Sequence, residues 1–197
     1  VGNVEVAAHQ IAINIYDVVY MPLISIGSAM ATRIGHGIGR GDLPAVKASL
    51  HCGFLVSIMF CLVMSVVLVW APDPVARLYT EDEAIRLIAV GLLQLAILFI
   101  GIDMVAVVTS FALRAFKDTR FPFLVMTIAY WMVALPLGYV LGLRDSGDAL
   151  YGALGFWWAM IIGVTVAAVL TVVRTRVWLN RPLAPDPHYS EDSPEPV

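Results

Sequence analysis

Charge is what this chain lacks. Between residues 84 and 113 the only charged side chains are Arg86, near the start, and Asp103, near the middle. Charged residues make up 14% of the sequence against 60% hydrophobic ones, and mean hydropathy is +0.85. That balance excludes a soluble domain of this size, whose core could not hide so much apolar surface. Cysteine is also scarce. Cys52 and Cys61 fall in one apolar run on opposite faces of a helix, so they read as packing residues and not as a disulfide or metal pair. No positive segment with a short apolar core and cleavage site is present, so no signal peptide is read. The chain opens on Val1 instead of methionine, and a portion of a longer protein is the expectation.

What is there is a series of long apolar runs. Crossing a hydrocarbon core of about 30 Å takes about 20 helical residues. Five segments meet that length, at about 5–33, 49–71, 84–113, 121–143 and 153–178. The expected fold is all-α, a polytopic transmembrane helix bundle over residues 1–180. The remaining residues, 181–197, are acidic and proline-rich and are expected to form a disordered cytoplasmic tail, with His188 solvated. Breaks are expected at Gly35, Gly37, Gly39 and Gly41, at Pro72 and Pro74, at Pro122, and at Ser146 and Gly147. Pro22 and Pro136 fall inside the first and fourth helices, where each should kink or locally unwind its helix.

Basic residues alternate by side. Arg33, Arg40, Lys47, Arg114, Lys117, Arg120, Arg174, Arg176 and Arg181 gather at one end of the spans, and only Arg77, Arg86 and Arg144 at the other. The poor end carries acids instead, among them Glu5, Asp73, Glu81, Asp82, Glu83, Asp145 and Asp148. The positive-inside rule makes the rich end cytoplasmic, so the amino end of the chain is expected outside and the carboxyl end inside.

Asp103 is the most informative residue. A carboxylate near the bilayer centre costs about 2.5–3.5 kcal/mol, and such groups face a cavity, a partner or an ion path. On its helix it shares a face with Phe99, Ala106, Val107 and Ser110, with no counter-charge within two turns. Desolvation favours its neutral form, and a sodium ion beside it favours the charged one. Ion or proton coupling is therefore read at Asp103. In the first helix Gln10, Asn14 and Asp17 stack on one face, and Met21 continues the line. Lipid cannot satisfy such a stripe. Interhelical hydrogen bonds worth about 0.6 kcal/mol each are the bland account, and Asp17 tilts the reading towards a cavity.

Other motifs carry less. GHGIGRGD (35–42) lacks the lysine and hydroxyl of a phosphate loop and follows a membrane helix, so a flexible cytoplasmic turn is expected. Gly138 and Gly142 form a GxxxG pair, which points to close helix packing. His9 reads as an interfacial hydrogen-bonding group. Asp17 and Asp103 in separate helices invite comparison with an intramembrane aspartyl protease. That family reads G-x-G-D at its second aspartate, and here both glycine positions hold isoleucine, Ile100 and Ile102, so no enzyme is expected.

Several stretches together resemble a known family: AAHQIAIN (7–14), ISIGSAMATRIGHGIGRGD (24–42), LYTED (78–82), ALRAFKDTRFPF (112–123), YWMVALPLGYVLG (130–142) and GALGFWWAMIIG (152–163). They look like the carboxyl-terminal half of a multidrug and toxic compound extrusion (MATE) transporter of the NorM-like branch. The resemblance implies two six-helix lobes around a central cavity and export of organic cations and other drugs in exchange for sodium ions or protons. It implies that the five spans are helices eight to twelve, in the inner membrane of a bacterium. It implies too that the amino-terminal lobe and helix seven, with its partner glutamate, lie outside this chain.

Asp103 falls at the family's cation-coupling aspartate, where sodium is a possible ligand. Gln10 and Asn14 fall at polar positions lining the second-lobe cavity. Phe99 stands where relatives often have a tyrosine, and Asp17 is suggested to compensate in part. No cofactor beyond the coupling ion and no nucleic-acid partner is expected; the partners are drugs, the bilayer and the other lobe. The runner-up is a lipid-linked sugar flippase or polysaccharide exporter of the same superfamily, which would carry more basic residues in its cavity, and none lies mid-span. A membrane scaffold without transport is the reading from another class.

Overall fold

The structure, a computed structural model, describes residues 3–142 and 149–183. Arg144, Asp145, Ser146, Gly147 and Asp148, and the expected tail from residue 184 with His188, lie outside the described residues. Within them the chain is helical throughout. It runs as α1 (Asn3–Gly39), α2 (Leu43–Trp70), a short α3 (Pro72–Arg77), α4 (Glu83–Ala115), α5 (Arg120–Ile128), a π-helical turn (Ala129–Ala134), α6 (Leu135–Gly142) and α7 (Ala149–Leu179). Five helical segments are long and apolar enough to cross a membrane; α5, the π turn and α6 together make the fourth.

Polar residues fix the ends of these helices. Asp42 caps α2 by accepting from the Ala45 amide at 3.0 Å, and Asp82 caps α4 by accepting from Ala84 at 2.8 Å. At the ends of α1 and α4 the same closing motif appears. Gly41 (φ 69°) and Lys117 (φ 61°) adopt the left-handed conformation. The Asp42 amide then bonds the Gly37 carbonyl and the Asp118 amide the Leu113 carbonyl, each at 2.9 Å.

Three expectations about breaks change. First, α1 continues through Gly35, Gly37 and Gly39, so the turn is only Arg40–Asp42. The glycines serve packing: a Cβ on Gly37 would lie 2.8 Å from the Val46 side chain, which holds the start of α2 against the end of α1. Second, α1 is continuous through Pro22, without the unwinding that was one of the two effects expected there. Only one hydrogen bond is lost there, and the flanking Val19 and Leu23 are buried in the core. Third, Pro72 opens the short α3 and does not merely end α2; at a first helical position its missing N–H costs nothing. The departure expected at Pro136 is found one turn earlier, where the π turn widens the helix ahead of the proline ring.

The centre of the bundle is α4, which packs on α1, α2 and α7. Small residues let it do so, since Ala89, Ala96, Ala106 and Ala112 are fully buried. Among the described residues the fourth span packs along α7 alone to any extent. Glycines bring those two backbones together. A Cβ on Gly155 would lie 2.5 Å from the Leu141 carbonyl oxygen, and one on Gly163 would lie 2.8 Å from that of Ala129. Gly138 and Gly142 face the same seam, as the GxxxG spacing predicts. The outward face of α2, with Leu55, Met59, Leu62 and Val66 exposed, is apolar throughout and suited to lipid.

Candidate functional site

Asp103 is buried, with 4% of its surface exposed, near the middle of α4. Its partner comes from the neighbouring helix: the Tyr16 hydroxyl of α1 donates to Asp103 Oδ2 at 2.7 Å. No ion pair among the described residues reaches it. The carboxylate opens onto a cavity of about 330 Å³ between α1, α4 and the fourth span, whose polar lining includes Tyr16, Tyr20, Ser110, Arg114 and Tyr130. Ser110 is buried seven residues along the same face, and its hydroxyl has no hydrogen-bond partner among the described residues.

Aromatic rings fix this arrangement. Phe99 is buried one turn before Asp103 and meets Tyr16 edge to face at 5.2 Å between centroids. It meets Trp157 of α7 at 5.9 Å. The fully buried Trp157 donates its indole N–H to His9 Nδ1 at 3.1 Å, so His9 is the hydrogen-bonding group expected. One contact chain thus joins His9, near the start of α1, to Asp103 through Trp157, Phe99 and Tyr16. A second polar contact ties α4 to α7, where the buried hydroxyls of Thr109 and Thr171 lie 2.7 Å apart.

The structure brings together Asp103, Phe99 and Ser110 and leaves the other expected residues apart from them. Gln10, Asn14, Asp17 and Met21 do share one face of α1, but that face is exposed and points away from the bundle. None of them lines the cavity beside Asp103. Asp103 takes its hydrogen bond from Tyr16, and Asp17, suggested for that part, does not reach it. Tyr16 escaped the sequence reading because a tyrosine in an apolar helix is ordinary; the signal available was its offset of about a third of a turn from the polar stripe. Arg114 was also missed as a lining residue. It belongs to the end of α4, where its guanidinium lies 4.8 Å over the Phe111 ring.

Apart from the Arg114 guanidinium, the polar groups that line the cavity carry oxygen: one carboxylate, three phenols and the hydroxyls of Ser110 and Thr119. This donor set suits a hard monovalent cation or a proton. Transition metals prefer nitrogen and sulfur ligands, and among the described residues no three His, Cys, Asp or Glu side chains come together.

Comparisons with known proteins bear on the family and the fold. The MatE family model matches residues 1–140. The multidrug resistance protein NorM of Photobacterium profundum is 37% identical over 179 residues, covering 91% of this chain and 39% of that protein. The multidrug resistance protein MdtK of Pectobacterium atrosepticum is 35% identical over 183 residues, covering 93% and 40%. The chain therefore spans about two fifths of the length of these curated relatives. Among solved structures, the eukaryotic MATE transporter AtDTX14 superposes with a TM-score of 0.80 at 16% identity, covering 88% of this chain and 38% of that one. An outward-facing multidrug resistance MATE family transporter of the MOP superfamily gives 0.76 at 18%, with the same coverage.

Proposed function

The chain belongs to the MatE family, and from that premise we propose that it forms most of one lobe of a cation-coupled multidrug exporter. The carrying observation is the buried Asp103, held by Tyr16 and open to a cavity beside the unpartnered Ser110. A carboxylate so placed is costly to keep charged and empty. A sodium ion or proton taken up there relieves that cost, and the gain differs between cavity shapes that reach the carboxylate and those that do not. Differential binding of this kind is what lets an ion gradient drive alternating access, with a cationic drug competing for the same region. The protein is in this reading a transporter and not an enzyme.

The exposed stripe of Gln10, Asn14, Asp17 and Met21 fits the same scheme. Lipid would leave it unsatisfied, so we assign it to the central cavity shared with the other lobe. The basic ends of the spans face the cytoplasm, and the host membrane is the bacterial inner membrane. The test is Asp103→Asn in the complete transporter, followed as ion-driven efflux of a fluorescent organic cation from proteoliposomes. Loss of efflux with normal insertion is expected. Efflux at the parental rate would end the proposal.

A further inference from the structure

At the basic end of the bundle a second cavity, of about 370 Å³, lies between the start of α2 and the end of α7. Lys47 and His51, one turn apart on α2, line it from one side, and Arg176 and Asn180, one turn apart on α7, from the other. Leu50 and Leu179 complete the lining. Several other arginines in the bundle have a carboxylate or an aromatic ring: Arg77 and Arg86 share Asp73, Arg174 pairs with Asp118, and Arg114 and Arg181 lie over Phe111 and Trp178. Lys47 and Arg176 have neither among the described residues. Two cations and an imidazole are thus gathered at one gap with no anion beside them among the described residues.

We propose that this cavity binds the phosphate headgroup of an anionic phospholipid. Its walls decide for a lipid over a free phosphate. Along α2 the stripe that begins with Lys47 and His51 continues into the exposed Leu55, Ile58 and Leu62, and along α7 the Arg176 stripe continues into the exposed Val173 and Val169. A headgroup seated between the cations therefore has two apolar rails for its acyl chains. A basic pocket between spans at the cytoplasmic boundary is the setting in which acidic lipids are held. The site is separate from the Asp103 cavity and does not depend on the transport reading.

The test titrates the purified protein in neutral detergent with short-chain phosphatidylglycerol, short-chain phosphatidylcholine and inorganic phosphate, in separate arms read by native mass spectrometry. Phosphatidylglycerol should bind saturably and more tightly than the other two. The pair Lys47→Gln with Arg176→Gln should weaken it by roughly thirtyfold, since each basic residue near an anionic lipid contributes a factor of about five. The charge-keeping pair Lys47→Arg with Arg176→Lys should retain binding. Lys117→Gln with Arg120→Gln, two exposed cations at the same end, should leave it unchanged. Equal affinity for phosphatidylcholine or for phosphate alone would overturn the assignment. So would an equal loss in the control pair, or loss in the charge-keeping pair.

Discussion

The Tyr16 hydroxyl and the Asp103 carboxylate meet at 2.7 Å across the α1–α4 seam, joining two membrane-spanning helices at a buried charge. Hydrogen bonds to a charged group contribute about 1.5–3 kcal/mol. Tyr16→Phe keeps the ring against Phe99 and removes only that bond. Ion-driven efflux by the complete transporter should fall about tenfold, with thermal stability nearly unchanged. Added to Asp103→Asn, the same change should do nothing more; an additive loss would show that Tyr16 acts elsewhere.

Gly163 tests the seam between α7 and the fourth span. A Cβ there would lie 2.8 Å from the Ala129 carbonyl oxygen and 2.9 Å from the Ala134 side chain, inside the π turn. Gly163→Ala should cost about 1–3 kcal/mol, the usual range for overpacking. Gly101→Ala, whose Cβ would meet nothing within 4 Å beyond its own stretch of helix, is the control and should be neutral or stabilising by about 0.5–1 kcal/mol. Unfolding in detergent reads both, and similar values for the two would refute the packing account.

The Thr109–Thr171 contact calls for a double-mutant cycle. Each hydroxyl has one proton, and each is also within reach of a carbonyl on its own helix, Val105 at 2.7 Å for Thr109 and Ala167 at 2.8 Å for Thr171. One hydroxyl therefore donates along its helix and the other across the gap. With valine at both positions the coupling energy should be about 0.6 kcal/mol, and no more than about 1.7. A coupling indistinguishable from zero would show that the two act independently.

Asp118, in the turn after α4, gives a pH dependence. Burial raises its carboxyl, but hydrogen bonds from Trp178 and Arg174 at 2.9 and 2.8 Å, with the Arg174 charge, outweigh that and hold it below the usual carboxylate range. Its folded value lies below the unfolded one of about 3.9. The stabilisation is therefore complete above the unfolded value and lost as pH falls through the folded one. Asp118→Asn should cost about 1 kcal/mol at neutral pH, because Arg174 is partly solvated. Wild-type and variant melting temperatures should converge in acid; a constant gap would show that charge is not involved.

The five spans were legible because length and hydropathy are properties of the segments themselves. Asp103 was legible for the same reason, since the cost of a lone charge is local. Tyr16 was not, because its phenol becomes a partner only when α1 packs on α4. The glycines at 35, 37 and 39 were read as a turn because backbone freedom is the usual inference from glycine. Here Gly37 is needed for the absence of a side chain against Val46. The π turn had one sequence sign, Pro136, which announced a departure but not its place or kind.

Among the described residues the fourth span is fastened along α7 and to little else, so here the two walls of the Asp103 cavity are unequally braced. Asp103, Ser110 and Tyr16 belong to the interlocked wall of α1 and α4; Phe123, Met126 and Tyr130 belong to the wall held by one edge. A change in the cavity's width is therefore concentrated in the compliant wall. Among the described residues the groups that hold Asp103 thus lie on the braced side, and the side chains that face them on the compliant one.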